Sequence, residues 1–248
     1  MSSSVDKIVD YRKFLTYGVI TGKKEVQLLT NEEYFEKIVS PIEELRIPNE
    51  EAKTLSVKII GKNLLKEDLC LCAMLDRSMR LTDGFIPIME ARNLTCAGAL
   101  LRLQMDNCLR LFALFIADAR NEAVDCIIDG GVFNRLKDKD GERMRDGYLK
   151  EKLGKYDPCF SEVYNQTSGF IHFSSKAFYQ SVHPTENYEI SFQVGGEQPE
   201  KINHVLLECI DAYIHYIKLF HRLMDIIAES KTEFDTNYKG TNMEVYNC

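Results

Sequence analysis

Arg102, Asp106 and Arg110 stand four residues apart in an otherwise apolar tract, Leu94 to Ala117. At about 100° per residue, that spacing sets two guanidinium groups and a carboxylate along one helical stripe. Leu94, Gly98, Leu101, Met105, Cys108 and Phe112 fall on one side of it, and Leu100, Leu103, Leu111 and Leu114 fall nearly opposite. A helix apolar on two opposed sides is central in a fold, and its charges are kept from bulk water. Charges held there must be paired or they destabilise the protein. Arg102 with Asp106, and Asp106 with Arg110, are each spaced to pair on one helix, which leaves one positive charge over. A guanidinium fork matches carboxylate or phosphate, so the surplus suits a carboxylate from another helix or an anionic ligand. The stripe therefore reads as an internal ion-pair network, as the wall of an anion or RNA-phosphate site, or as a partner interface.

A second constellation is Tyr164, Ser168 and His172, an i, i+4, i+8 ladder with Gly169 inside it. Glycine there lets another backbone or a ligand approach. A histidine at a helix end beside hydroxyls can act as a general acid or base, because its pKa lies near working pH. It can equally be a satisfied side chain tying a helix to the next element. The catalytic expectation joins His172 as acid or base to Arg102, with Arg102 or Arg110 holding an anion and Tyr164 or Ser168 orienting the imidazole. The ligand-binding expectation is Arg110, Asp106, Tyr164 and Ser168.

Other chemistries are excluded or disfavoured. His204, His215 and His221 include no pair three or four apart, so they form no metal face. The eight cysteines contain no CxxC pair and sit mostly in apolar helical patterns, as reduced thiols acting as small hydrophobes do. No Walker loop, dinucleotide-binding glycine fingerprint, GxSxG or HExxH occurs. No metal and no cofactor is expected. Asp138-x-Asp140-Gly141 lacks the alternating ligands of a calcium loop and has Leu149 near its distal position. A net charge of −7 argues against a general basic surface for nucleic acid. RNA would need a local groove of Lys137, Lys139, Arg143, Arg145, Lys150 and Lys152. No uncharged apolar run approaches the roughly 20 residues that span a bilayer, so no membrane partner is expected, and the reduced thiols lead to the expectation of a cytoplasmic location.

The elements that must position these side chains are mostly helical. Val5–Tyr17 suits a short helix, and Val19–Leu29 around Gly22 a loop or weak hairpin. Thr30 and Glu33 form a capping box before a helix with Tyr34, Phe35, Ile38, Val39, Ile42 and Leu45 on one apolar face, and Pro48 closes that element or opens the next. Helix is expected over Glu50–Leu81 with a break at Gly61, then a turn at Asp83-Gly84 and a start after Pro87 into the central tract. Asn121–Ile128 and Phe160–Ile171 are short helices around a solvated, charge-rich connection at 134–158. Alternation at Tyr188, Ile190, Phe192 and Val194 gives a strand, with Phe178–Val182 as its hairpin partner. Pro199 opens a long helix to about Ser230, apolar almost all round.

The expected fold is mainly α: a helical bundle with a small β-hairpin inserted before the long C-terminal helix. Residues 1–47 form an N-terminal extension packed on the core. Residues 48–235 form the helical domain with the hairpin near 177–195, and 236–248 a disordered tail. Two-sided apolar helices suit a homo-oligomer or a protein partner.

Leu100-Leu-Arg-Leu-Gln-Met-Asp-Asn107 and Thr167-Ser-Gly-Phe-Ile-His172, with Leu136-Lys-Asp-Lys-Asp-Gly141 between them, resemble a group of bacterial cytosolic helical proteins without an assigned activity. The resemblance covers roughly residues 65–180 and implies a fold. More remotely, a helical bundle with a histidine at a helix end is similar to the HEPN superfamily, many of whose members are ribonucleases in toxin–antitoxin and phage-defence systems. Those ribonucleases carry Arg-x(4–6)-His, whereas Asn165, Gln166 and Thr167 occupy the matching positions before His172. The missing catalytic motifs and the two-sided apolar helices point to a non-enzymatic binding or interaction module, defence-associated or regulatory. A divergent HEPN-like ribonuclease, or another enzyme using His172 with Arg102 or Arg110, is the alternative.

Overall fold

Thr30 caps the first helix as its type predicts. Its Oγ1 accepts from Glu33 N at 3.2 Å, and Glu33 Oε2 accepts from Thr30 N at 2.9 Å. The computed structural model describes residues 28–172, 174, 178, 182–184, 190–192, 194–196 and 198–237. The expectations for Val5–Tyr17, most of Val19–Leu29 and the tail beyond 237 lie outside them.

Helix α1 spans Asn31–Ile60 and α2 Lys66–Glu90. Phe35 and Val39, expected on the apolar face of the first helix, are exposed, and Pro48, expected to close that element or open the next, lies inside α1 together with Pro41. A proline inside a helix costs about 3 kcal/mol. Against that stand Tyr34, Ile38, Ile42 and Leu45 before Pro48 and Ala52, Leu55 and Ile59 after it, all buried. Each large apolar side chain so buried contributes about 1.5–3 kcal/mol, so packing wins and the helix runs through. Residues on both sides of the expected 47/48 division therefore share one helix and one core. Gly61 ends α1 at φ 58, a conformation that favours glycine. The turn expected at Asp83-Gly84 and the start after Pro87 are likewise absorbed into α2, because Phe85, Ile86 and Met89 are buried beyond them.

The chain turns instead at Arg92, φ 53, before α3 (Leu94–Ile116). Buried Arg92 donates Nε to Asn203 Oδ1 at 2.9 Å and Nη2 to Pro199 O at 3.2 Å. Then come α4 (Arg120–Ile128), a 3-10 turn at Phe133–Arg135, α5 (Asp146–Gly154) and α6 (Phe160–Ile171). A 3-10 turn at Glu200–Ile202 leads into α7 (Asn203–Asn237), longer at its end than expected.

Packing of α1 on α2, α2 on α3, α3 on α7 and α7 on α1 closes a four-helix ring. Short connections make α1, α2 and α3 successive antiparallel neighbours. Helix α7 runs parallel to α1. Its first residue, Asn203, donates to Leu29 O at 2.9 Å, and Asp235 near its end accepts from Lys62 N at 2.7 Å. A fourth helix parallel to α3 requires the chain to return first, and α6, packed antiparallel on α3, makes that return. Tyr34, Leu71, Phe85, Met105, Tyr213 and Phe220 are buried in the core, where Phe85 stacks on Tyr213 at 3.9 Å.

Two expectations need correction. Residues 134–158 are no solvated connection: Met144, Leu149 and Leu153 are buried there, and so is Asp138. Asp138 accepts from the N–H groups of Asp140 and Glu142, both at 3.0 Å, and from Tyr148 Oη and Lys152 Nζ. Charge-rich sequence here folds because its charges pair inward. The hairpin using Phe178–Val182 is not supported, since Phe178 is helical and donates its N–H to Ser174 O at 2.9 Å. Among the described residues of that region only Val182–Pro184 and Ile190–Phe192 pair, Val182 with Phe192 and Pro184 with Ile190. Two strands this short add no layer to a mainly helical fold.

Candidate functional site

Helix α3 carries the charged stripe to the side where α6 and α5 lie. Arg102 is held from several directions. Its Nη1 donates to Ser168 Oγ at 2.9 Å, its Nη2 lies 3.3 Å from Asp106 Oδ1, and its Cζ sits 3.4 Å from the centre of the Tyr164 ring. Tyr164 Oη donates to the same Asp106 oxygen at 3.0 Å, and Ser168 Oγ donates to Tyr164 O at 2.8 Å. Arg102 Nε is buried without a hydrogen-bond partner. Four of the sequence-expected residues, Arg102, Asp106, Tyr164 and Ser168, thus meet in one knot between α3 and α6.

The knot is electrostatically tight. Burial pushes the Asp106 carboxyl up, opposed by Arg102, the Tyr164 hydrogen bond and Arg110. Burial and then Asp106 push the Tyr164 hydroxyl up to about 12. Stacking on Tyr164 adds a cation–π contribution to the ion pair. With the Arg102 side chain only 14% exposed, little of the guanidinium is left to meet a ligand.

Arg110 does not complete the run with Asp106. Its Nη2 reaches Asp146 Oδ1 at the start of α5, 2.6 Å away, and its Cζ lies 5.5 Å from the Phe133 ring centre. Its side chain is 34% exposed, yet Nη1 is buried and has no hydrogen-bond partner. A cleft of about 640 Å³ opens beside it, lined also by Cys126, Val132, Phe133, Asn134, Arg145 and Asp146. The first intrahelical bond of α5 is made by Leu149 N to Arg145 O at 2.9 Å. The N–H groups of Asp146, Gly147 and Tyr148 therefore have no acceptor within the helix. No side chain caps α5 either. Arg110 and Arg145 against Asp146 leave one positive charge in surplus.

His172 ends α6 as an exposed residue, its N–H donating to Ser168 O at 3.3 Å. It stands one helical turn after Ser168, which Arg102 touches, and it does not join the hydrogen-bonded knot. On α7, His215 Nε2 lies 2.8 Å from Asp157 Oδ2, whereas His221 is buried with Nε2 lacking a hydrogen-bond partner. Among the described residues no group of three or more His, Cys, Asp or Glu is placed to hold a metal. Cys70, Cys72, Cys96, Cys108, Cys126, Cys159 and Cys209 are free thiols, of which Cys70, Cys108 and Cys209 are buried.

The basic row considered for RNA is partly consumed. Lys152 bonds Asp138 and lies 2.7 Å from Asp140 Oδ2, and Lys150 donates to Asn165 Oδ1 at 3.0 Å. Sequence reasoning did not single out Phe133, Asn134 and the Gly130-Gly131 turn beside Arg110. A charge-rich stretch directly after a glycine pair was the only signal pointing to them. No helix among the described residues is long and apolar enough to cross a membrane. The chain matches no family model, no curated protein and no solved structure.

Proposed function

We propose that this chain is a non-enzymatic helical binding module that takes an anionic group in the cleft beside Arg110. The carrying observation is Arg110 with Arg145 at the wall of an open cleft, two guanidinium groups against the one carboxylate of Asp146. An oxyanion placed there would meet both guanidinium groups and the first N–H groups of α5, where the helix dipole favours negative charge. The Arg102 knot supports the reading by contrast. Its guanidinium is engaged by Ser168, Asp106 and Tyr164, so it acts as an internal tie between α3 and α6. A regulatory or defence setting, as the family resemblance implies, fits a module that senses an anion. Assembly with a second copy or a protein partner would use the outer face of α1, where Phe35, Val39, Ile47 and Val57 are exposed.

Binding of inorganic phosphate, followed by calorimetry on the full chain, tests the site. Arg110→Gln should weaken it by about tenfold or more, since a hydrogen bond to a charged group contributes about 1.5–3 kcal/mol. Arg102→Gln should instead lower the unfolding midpoint and leave binding within about twofold. Equal binding by Arg110→Gln and the parent chain overturns the proposal. So does metal-free cleavage of RNA that disappears in His172→Ala, because it would move the function to the end of α6.

A further inference from the structure

The cleft beside Arg110 is larger and less uniformly polar than a phosphate ion requires. Its cationic end is Arg110, Arg145 and the start of α5, with the Asn134 amide alongside. The other wall is Ile127, Val132, Phe133 and Cys126. Val132 is half exposed, an apolar side chain at the lip that a small inorganic ion would leave uncovered. At about 640 Å³ the space falls within the range of small-molecule sites, which combine apolar walls with a few placed polar groups.

The turn that shapes the apolar wall is specified by its glycines. Gly130 has φ 67, and Gly131 donates its N–H to Cys126 O at 2.7 Å, folding the chain back onto the end of α4. A Cβ at Gly131 would stand 2.9 Å from Cys126 Sγ, too close for any other residue without displacement. The backbone is therefore drawn in against α4, and Val132 and Phe133 follow directly as wall residues.

We propose that the ligand is a phosphomonoester carrying an apolar or aromatic body of about nucleoside size. The phosphate sits between Arg110 and Arg145 at the first turn of α5, and the body lies along Val132, Ile127 and the Phe133 ring. This rests on the anion-binding reading above and adds the second half of the ligand. Two guanidinium groups at one end favour a dianionic terminal phosphate over a monoanionic diester, because the larger charge strengthens each charge-assisted hydrogen bond. Asp146 accepts from Arg110 Nη2 and holds that edge of the guanidinium in place, and Arg145 on the same cleft has no such carboxylate of its own among the described residues to offset its charge.

Calorimetry of the full chain with adenosine 5′-monophosphate, inorganic phosphate and adenosine separates the two claims. The monophosphate is expected to bind at least tenfold more tightly than inorganic phosphate, with adenosine weaker still. Arg110→Gln should weaken the monophosphate by about ten- to a hundredfold, the effect of losing a charge-assisted hydrogen bond. Val132→Ser, which removes the apolar lip without adding charge, should weaken the monophosphate and leave inorganic phosphate within about twofold, which also shows that the variant is folded. Equal affinity for the monophosphate and inorganic phosphate would overturn this inference and leave the anion site standing. Binding of adenosine as tight as its monophosphate, or no binding of any probe, would overturn both.

Discussion

His221 lies buried on α7, facing Asp225 on its own helix and Glu51 on α1, with Nε2 making no hydrogen bond. Burial lowers its pKa from the ordinary value, and the two carboxylates only partly oppose that. The unfolded chain then takes up the proton first, near pH 6.5. The stability contribution of the neutral ring is full above that pH and is lost as pH falls through it, until the folded protein also takes the proton. His221→Gln is expected to lose less stability than the parent chain between pH 7.5 and 5.5, read from urea midpoints. Equal losses would mean that other groups carry the acid sensitivity. Arg102 and Arg110 make the complementary point. Their types and spacing were visible in the sequence, but Arg110 turned to Asp146, 36 residues away along the chain, because α5 starts opposite it. Helical periodicity places a side chain on a face and does not say which element will cover that face.

At the level of elements, α6 is pressed onto α3 at Gly98, and this contact sets the width of the Arg102 knot. A Cβ at Gly98 would stand 2.4 Å from the Phe170 ring. In a free helix, glycine to alanine gains about 1 kcal/mol. Here the overlap outweighs that gain, since overpacking of a tight contact costs about 1–3 kcal/mol. Gly98→Ala should therefore destabilise the protein in urea titration, and Gly98→Ala combined with Phe170→Ala should recover part of the loss. A stabilising Gly98→Ala would show that α6 moves away freely. The element boundaries misread from sequence share one cause. Pro48, Gly84 and Pro87 are local helix-disfavouring signals, and each lies between stretches whose burial is worth more than the local penalty. Capping at Thr30 was read correctly because both partners are three residues apart and need no tertiary contact.

For the whole molecule, the parallel placement of α7 beside α1 is fastened at both ends. Asn203 and Arg92 tie one end. At the other end Lys231 Nζ lies 2.7 Å from Asp68 Oδ2, both side chains almost wholly buried. Removing one member of a buried ion pair leaves a bare charge and costs about 3–5 kcal/mol. Lys231→Met should lower the stability of the whole bundle by that order, seen as one cooperative transition moved to lower denaturant. A loss below about 1 kcal/mol would show that water reaches Asp68. What the sequence by itself determined is the helical class, the central place of Leu94–Ala117, the capped start at Thr30 and the stripe of charges, because these follow from short-range periodicity and side-chain chemistry. Only the tertiary structure decided that the two-sided apolar helices are satisfied within one chain, that Arg102 is tied inside, and that Arg110 opens onto a cleft. Those outcomes depend on which surfaces meet across long stretches of chain, and burial summed over a whole interface overrides what neighbouring residues prefer.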